Sequence, residues 1–201
     1  VVGYLIGIFL RKKISVLNPL LVSIIFVIAV IKIFHIDYET YNSGAKYISY
    51  LLTPATVCLA IPLYRQISVL KEHAKEVFIG ILAGVLASMG SILLMSYFFG
   101  LTHEQYVTLL PKSITTAIGM GVSEELGGIQ TITVAVIIIT GVLGNIIAEA
   151  VLKIFRIKEP VAKGLAIGTA SHAIGTTKAL EIGEIEGAMS SLSVAVAGLM
   201  T

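Results

Sequence analysis

Long apolar stretches alternate with short polar ones along the whole chain. Residues 17–34 hold one charge, Lys32, near the end where its amine can snorkel. Residues 35–46 read as a polar loop with Asp37, Glu39 and Asn42. Residues 47–64 are apolar again but carry Pro54 and Pro62. Residues 77–99 have no charge and set Gly80, Ala83, Gly84, Ala87, Ser88 and Gly90 along one side, as close-packing membrane helices do. After a polar turn at 102–105, residues 106–128 mix apolar side chains with Pro111, Lys112, Glu124, Glu125 and several glycines. Residues 129–152 predict a spanning helix interrupted only by Asn145 and Glu149. Pro160 marks a boundary, and residues 161–180 again combine apolar with small and hydroxyl side chains. Glu181, Glu184 and Glu186 read as a solvated turn before a last apolar stretch, 187–201, either incomplete or packed inside protein.

None of these stretches has the polar face that a surface helix of a soluble domain needs. The predicted class is all-α: a polytopic membrane helical bundle with two or three discontinuous or re-entrant segments, near 47–64, 106–128 and 162–180. One integral membrane domain over 1–201 is expected. Because the chain opens inside the apolar run 1–10, its first helix is expected to begin upstream.

Composition narrows the function. Of 201 residues 56% are hydrophobic and 13% charged, about half the charge of a soluble domain. That excludes an ordinary soluble enzyme, a nucleic-acid-binding domain and a disordered tail. Basic residues cluster at 11–13, 65–75 and 153–163 with apolar stretches between, the pattern of cytoplasmic loop anchors. If 106–128 dips into the membrane and returns, all three clusters fall on one side. Cys58 stands alone, and the four histidines are dispersed without metal-ligand spacing, so neither metal nor cofactor is expected. Pro54 aligns with Pro111 at an offset that also pairs Ala60-Ile61 with Ala117-Ile118. A similar step takes Ala117-Ile118-Gly119 to Ala173-Ile174-Gly175. A true repeat and chance in a biased composition explain this equally well.

A helix broken inside a membrane exposes peptide groups that lipid cannot satisfy, so they must be buried in protein or line a cavity. Helix N-termini also favour anions. Lys112, Ser113, Thr115 and Thr116 supply a cation and hydroxyls beside Pro111. Ser171, His172, Gly175, Thr176, Thr177 and Lys178 supply the same with an imidazole. Meeting at mid-membrane, the two would form an electropositive pocket for a short organic acid. His172 and Glu124 are the proton-coupling candidates, an imidazole titrating near neutrality. Lys112 could equally snorkel, and any single Ser or Thr could bond its own helix. Glu149 shares a face with Asn145 and lies either against a partner or near the aqueous end.

Residues 110–118 (Leu-Pro-Lys-Ser-Ile-Thr-Thr-Ala-Ile), 123–128 (Ser-Glu-Glu-Leu-Gly-Gly), 168–176 (Gly-Thr-Ala-Ser-His-Ala-Ile-Gly-Thr) and 184–187 (Glu-Ile-Glu-Gly) resemble the LrgB/CidB family. Asn18-Pro19-Leu20, Thr53-Pro54-Ala55-Thr56 and Pro62-Leu63-Tyr64 fit the same family, so the resemblance covers essentially the whole chain. Ala117 stands where many members carry a second proline, and Glu149 is outside the family pattern. The resemblance implies a multi-pass protein of the bacterial cytoplasmic membrane, described as a holin- or antiholin-like regulator of murein hydrolases and lysis. It also implies a small LrgA/CidA-type membrane partner. Related plastid proteins move glycolate and glycerate, and bacterial relatives are implicated in pyruvate movement. The reading favoured is a secondary transporter of small monocarboxylates (pyruvate, glycolate, glycerate, lactate), expected as a homo-oligomer. The alternative is a holin-like pore or regulator.

Overall fold

The computed structural model describes residues 2–13, 19–51, 54, 57–58 and 60–201. Among them every regular element is helical. Two compact units divide the chain, Val1–Cys58 and Leu59–Thr201. The expected break over 47–64 and the motif residues Asn18, Thr53, Ala55 and Thr56 lie wholly or partly outside the described residues.

In the first unit α1 (Val2–Lys13) packs on α2 (Pro19–Ile33). Gly7 makes this approach possible: a Cβ there would sit 2.7 Å from the Cα of Pro19. The expected polar loop at 35–46 is instead largely helix, α3 (Tyr38–Ser49). Asp37 starts it, its carboxylate accepting the Glu39 N–H at 3.0 Å. The polar composition that suggested a loop belongs to a helix with most of its residues exposed.

The second unit begins with short helices, α4 (Ala60–Arg65) and α5 (Ile67–Glu72), and then α6 (Ala74–Phe99). A capping box at Thr102 and Gln105 starts α7 (His103–Leu109), where a mere turn was expected. Then come α8 (Thr116–Glu125), α9 (Gln130–Ile154), α10 (Pro160–Ile182) and α11 (Glu184–Met200). With 26 and 25 residues, α6 and α9 rise about 38 Å each, enough to cross a bilayer core of about 30 Å. Both faces of α9 are apolar for different reasons. Ile137, Gly141, Ala148 and Leu152 are buried, while Ile139, Leu143 and Ile147 are about half exposed. Such an outer surface suits lipid, not water.

The chain reverses twice within this unit. Ile167 and Ala179 share one buried cluster with Ala148 and Leu152 of α9. In a straight helix they would stand about 18 Å apart. A Cβ on Gly175 would lie 3.1 Å from Ile167 Cγ2. So α10 is a hairpin of two arms, 160–171 and 173–182, folded at His172 (φ 43, ψ −147). Its base lies beside Leu152 and Ile157, at the end of α9. The first hairpin, α7 and α8, has its base at the opposite end of α9. Thr108 Oγ1 accepts the Ile129 N–H at 2.8 Å, and Thr133 Oγ1 lies 2.9 Å from the Thr108 carbonyl and 2.8 Å from Ser123 Oγ. Two re-entrant hairpins therefore enter from opposite ends, each followed by a longer helix. Ala117-Ile118-Gly119 and Ala173-Ile174-Gly175 each fall in the second arm of a hairpin.

The last stretch, 187–201, packs along one side inside protein, where Ala188, Met189, Ser190 and Ser193 of α11 are fully buried, while Leu199 is exposed. The first arm of α10 runs against it through Gly164 and Gly168, spaced as in close-packed membrane helices. The expected solvated acidic turn is corrected at Glu186. It is buried in the first turn of α11 and pairs with Lys163 at 3.5 Å, because the single linking residue Gly183 leaves no room for a loop.

Candidate functional site

Pro111 has no N–H with which to extend the α7 ladder, and the chain turns there. Pro111 is fully buried, and the turn residues Ser113 and Ile114 are buried with it. Helix resumes at Thr116 with Thr115 as its cap; the Thr115 side chain makes no capping bond. Both threonines are half-buried.

The tip of this first hairpin meets α6. Lys112 Nζ donates to Ser113 Oγ at 3.0 Å and to Ser88 Oγ at 3.3 Å, and Ser88 Oγ donates to Ser113 Oγ at 3.0 Å. An ammonium has three N–H donors, and two are engaged here. Among the described residues Lys112 forms no ion pair. A half-buried cation held only by hydroxyls is expensive unless an anion visits it.

The second hairpin reaches the same place. Ser88, Ser113 and Ile114 line a small cavity with Thr169 of α10 and Ala197 and Thr201 of α11. A water's centre has about 10 Å³ to move in, the room of one water molecule. The cavity is thus closed to a three-carbon acid until the hairpins part. Gly84 permits the approach, since a Cβ there would be 3.0 Å from Thr169 Oγ1. Ser88 was read from the sequence only as part of a small-residue helix face, and neither it nor Thr169 was among the candidate site residues. The signal was the spacing Gly80, Gly84, Ser88, which places all three on the face that meets Leu165 and Thr169.

His172 forms the tip of the second hairpin and is 2% exposed. Its Nε2–H donates to the Ile137 carbonyl at 2.9 Å, since a carbonyl can only accept. Gly141 and Gly144 of α9 make space for it; a Cβ on Gly141 would be 2.7 Å from the imidazole. Thr176 Oγ1 donates to the His172 carbonyl at 3.0 Å and accepts from Ser190 Oγ at 2.8 Å. Ser171 and Gly175 pack against each other inside the fold. This group braces the reversal.

Three candidates lie apart from both tips. Glu124 is exposed near the end of α8. Thr177 is exposed, donating to the Ile174 carbonyl at 2.8 Å and accepting from Asn145 Nδ2 at 2.9 Å. Lys178 pairs with Glu149 at 2.6 Å and with Glu181 at 3.2 Å. These bonds tie the second arm to α9 and settle Glu149 as the partner of a neighbouring helix. A Lys178→Met variant is expected to lower the melting temperature in detergent. A double-mutant cycle with Glu149→Gln should give a coupling of about 1 kcal/mol, since Glu149 is partly open to solvent.

Two helical hairpins that enter from opposite ends of α9, with two helices long and apolar enough to cross a bilayer, define a helical membrane protein. The chain belongs to the LrgB-like family, whose model matches residues 1–201. It is 39% identical over 196 residues to "Uncharacterized protein YxaC" of Bacillus subtilis (strain 168), covering 98% of this chain and 85% of that one. It is 38% identical over 190 residues to "Antiholin-like protein LrgB" of Bacillus mycoides (strain KBAB4), covering 94% and 83%. The Bacillus cereus (strain B4264) protein of the same name matches equally. No solved structure matches the chain significantly.

Proposed function

We propose that this chain is an antiholin-like membrane protein, as its Bacillus relatives are named, and that its molecular work is to bind and pass a small organic anion. The observation that supports an anion site is Lys112, held without a carboxylate partner by Ser88 and Ser113, two residues that line a small cavity reached by Thr169 of the second hairpin. A lesion formed by massed helices needs no such built site. The anion is a 2-oxo or 2-hydroxy monocarboxylate of the pyruvate, glycolate, glycerate or lactate class. Its carboxylate takes the third N–H of Lys112 and the O–H of Ser113, whose oxygen accepts from Lys112 and Ser88. Thr115 and Thr116 contribute from the N-terminus of α8, where the helix favours negative charge. The hairpins part to admit it, with His172 and Thr176 bracing one hinge; His172 and Glu124 remain the residues to test for proton coupling. The protein lies in the bacterial cytoplasmic membrane beside a small LrgA/CidA-type subunit. The basic residues at the base of the second hairpin face the cytoplasm, because no Lys or Arg lies between Lys112 and Lys153 on the path to the other end.

Uptake of labelled pyruvate into proteoliposomes tests this. Saturable uptake competed by excess glycolate is the expected result. Leakage that ignores solute size and never saturates would sink the transport reading and leave the antiholin-like one. That second reading stands or falls on whether expression lowers murein hydrolase activity and lysis in a host lacking its own homologue.

A further inference from the structure

Where α9 ends, a second and much larger cavity opens at the base of the second hairpin, with a volume of about 530 Å³. Its floor is apolar: Leu152, Ile157 and Ile182. Its rim is basic: Lys153, Arg156, Lys158 and Lys163. Glu149 is the one carboxylate among the lining residues. Glu149 pairs with Lys178 and Lys153, and Glu186 with Lys163. Among the described residues Arg156 and Lys158 form no ion pair.

Arg156 is unusual in its backbone as well. It has φ 55, the left-handed region that favours glycine. The Ile157 N–H reaches the Leu152 carbonyl at 2.9 Å and the Arg156 N–H the Lys153 carbonyl at 3.1 Å, closing the helix end in a Schellman turn. Gly100 and Gly127 do the same work at the ends of α6 and α8. At α9 an arginine stands in the position glycine favours, as His35 does at the end of α2.

We propose that this cavity binds an anionic phospholipid, independently of the anion site at the hairpin tips. The phosphate sits on Arg156 and Lys158, and an acyl chain lies on the apolar floor. At the same helix end Ile154 and Phe155 are each more than 70% exposed. A charged rim over an apolar floor fits an amphiphile; a soluble phosphate would leave the floor bare. Basic pockets between membrane helices take lipid headgroups for this reason.

The test uses the full chain in neutral detergent, with thermal unfolding followed as lipid is added. Dioleoyl phosphatidylglycerol is expected to raise the melting temperature by several degrees, and dioleoyl phosphatidylcholine to raise it far less. Soluble glycerol phosphate should have no effect. Arg156→Gly should hold or raise the lipid-free melting temperature, because glycine suits the backbone, yet lose most of the phosphatidylglycerol increment. Lys158→Gln should lose part of it and serves as the second variant should the first not purify. Equal stabilisation by the two lipids would overturn the proposal, as would an undiminished increment in both variants. A glycerol phosphate effect matching the lipid's would overturn the phospholipid assignment.

Discussion

A Gly168→Leu variant is expected to fail to fold into its helical hairpin, giving aggregated or sharply destabilised protein in detergent. Gly168 lies against the backbone of α11: an added Cβ would sit 2.7 Å from Ser193 Cβ, 2.8 Å from Ser190 Cα and in collision with the Ser190 carbonyl. Backbone cannot rotate away as a long side chain can. One turn earlier Gly164 is under the same constraint, 2.7 Å from Met189 Cβ, so the arm cannot tilt to relieve the clash. Overpacking a core costs about 1–3 kcal/mol when side chains can give. Here the helices must separate, and about 3 kcal/mol or more is expected. Separation would also strip Thr176 of Ser190, leaving buried hydroxyls without partners. Gly90→Ala and Gly121→Ala are the controls, with open space around both glycines. They should gain about 0.5–1 kcal/mol each from helix propensity. Size-exclusion elution and thermal melting read all three. A Gly168→Leu protein melting like the parent would mean that the arm and α11 are not packed as described.

Much of this architecture was legible because the bilayer sets simple rules. The stretches 77–99 and 129–152 carry almost no charge, and they match α6 and α9 to within a few residues. Pro111 and Pro160 mark a helix stop and a helix start because a missing N–H is a local property. The reversal at His172 was visible only as an excess of glycine and hydroxyl residues. Its position depends on Gly141 and Gly144, which sit far away in sequence and make room for the tip. Pairing was hidden for the same reason. Nothing near Glu186 in sequence says that it will meet Lys163, or near Lys178 that it will meet Glu149. The helix α3 was missed because its composition is polar, and polarity reports exposure rather than backbone conformation. Of the candidate site, the sequence supplied Lys112 and Ser113 from the break at Pro111. It did not mark Ser88 and Thr169 as site residues, because their meeting with Ser113 depends on how two other helices pack.

Lys112→Met is expected to separate stability from function. Methionine keeps the length and most of the volume of the lysine stem, so packing around the turn should survive. The bond between Ser88 and Ser113 does not involve the ammonium and remains at 3.0 Å, so the change leaves no buried hydroxyl without a partner. What disappears is a cation drawn partly out of water with no carboxylate to offset it. The melting temperature should therefore hold or rise. Anion uptake should fall steeply: a hydrogen bond to a charged group contributes about 1.5–3 kcal/mol, or about 10- to 100-fold in KM or kcat/KM. Lys112→Arg keeps the charge but replaces a point charge on a flexible stem with a planar fork, and should restore part of the uptake. Ser88→Ala leaves the Lys112–Ser113 contact in place and should cost less than either. The decisive comparison is uptake against melting temperature for the four proteins. Methionine at 112 with uptake at the parent level would show that the anion does not bind at this lysine, and the hydroxyl cluster would then be a structural brace. Uptake lost together with the fold in Lys112→Met but kept in Lys112→Arg would still assign the charge to the site, because the arginine variant preserves little of the original geometry besides it.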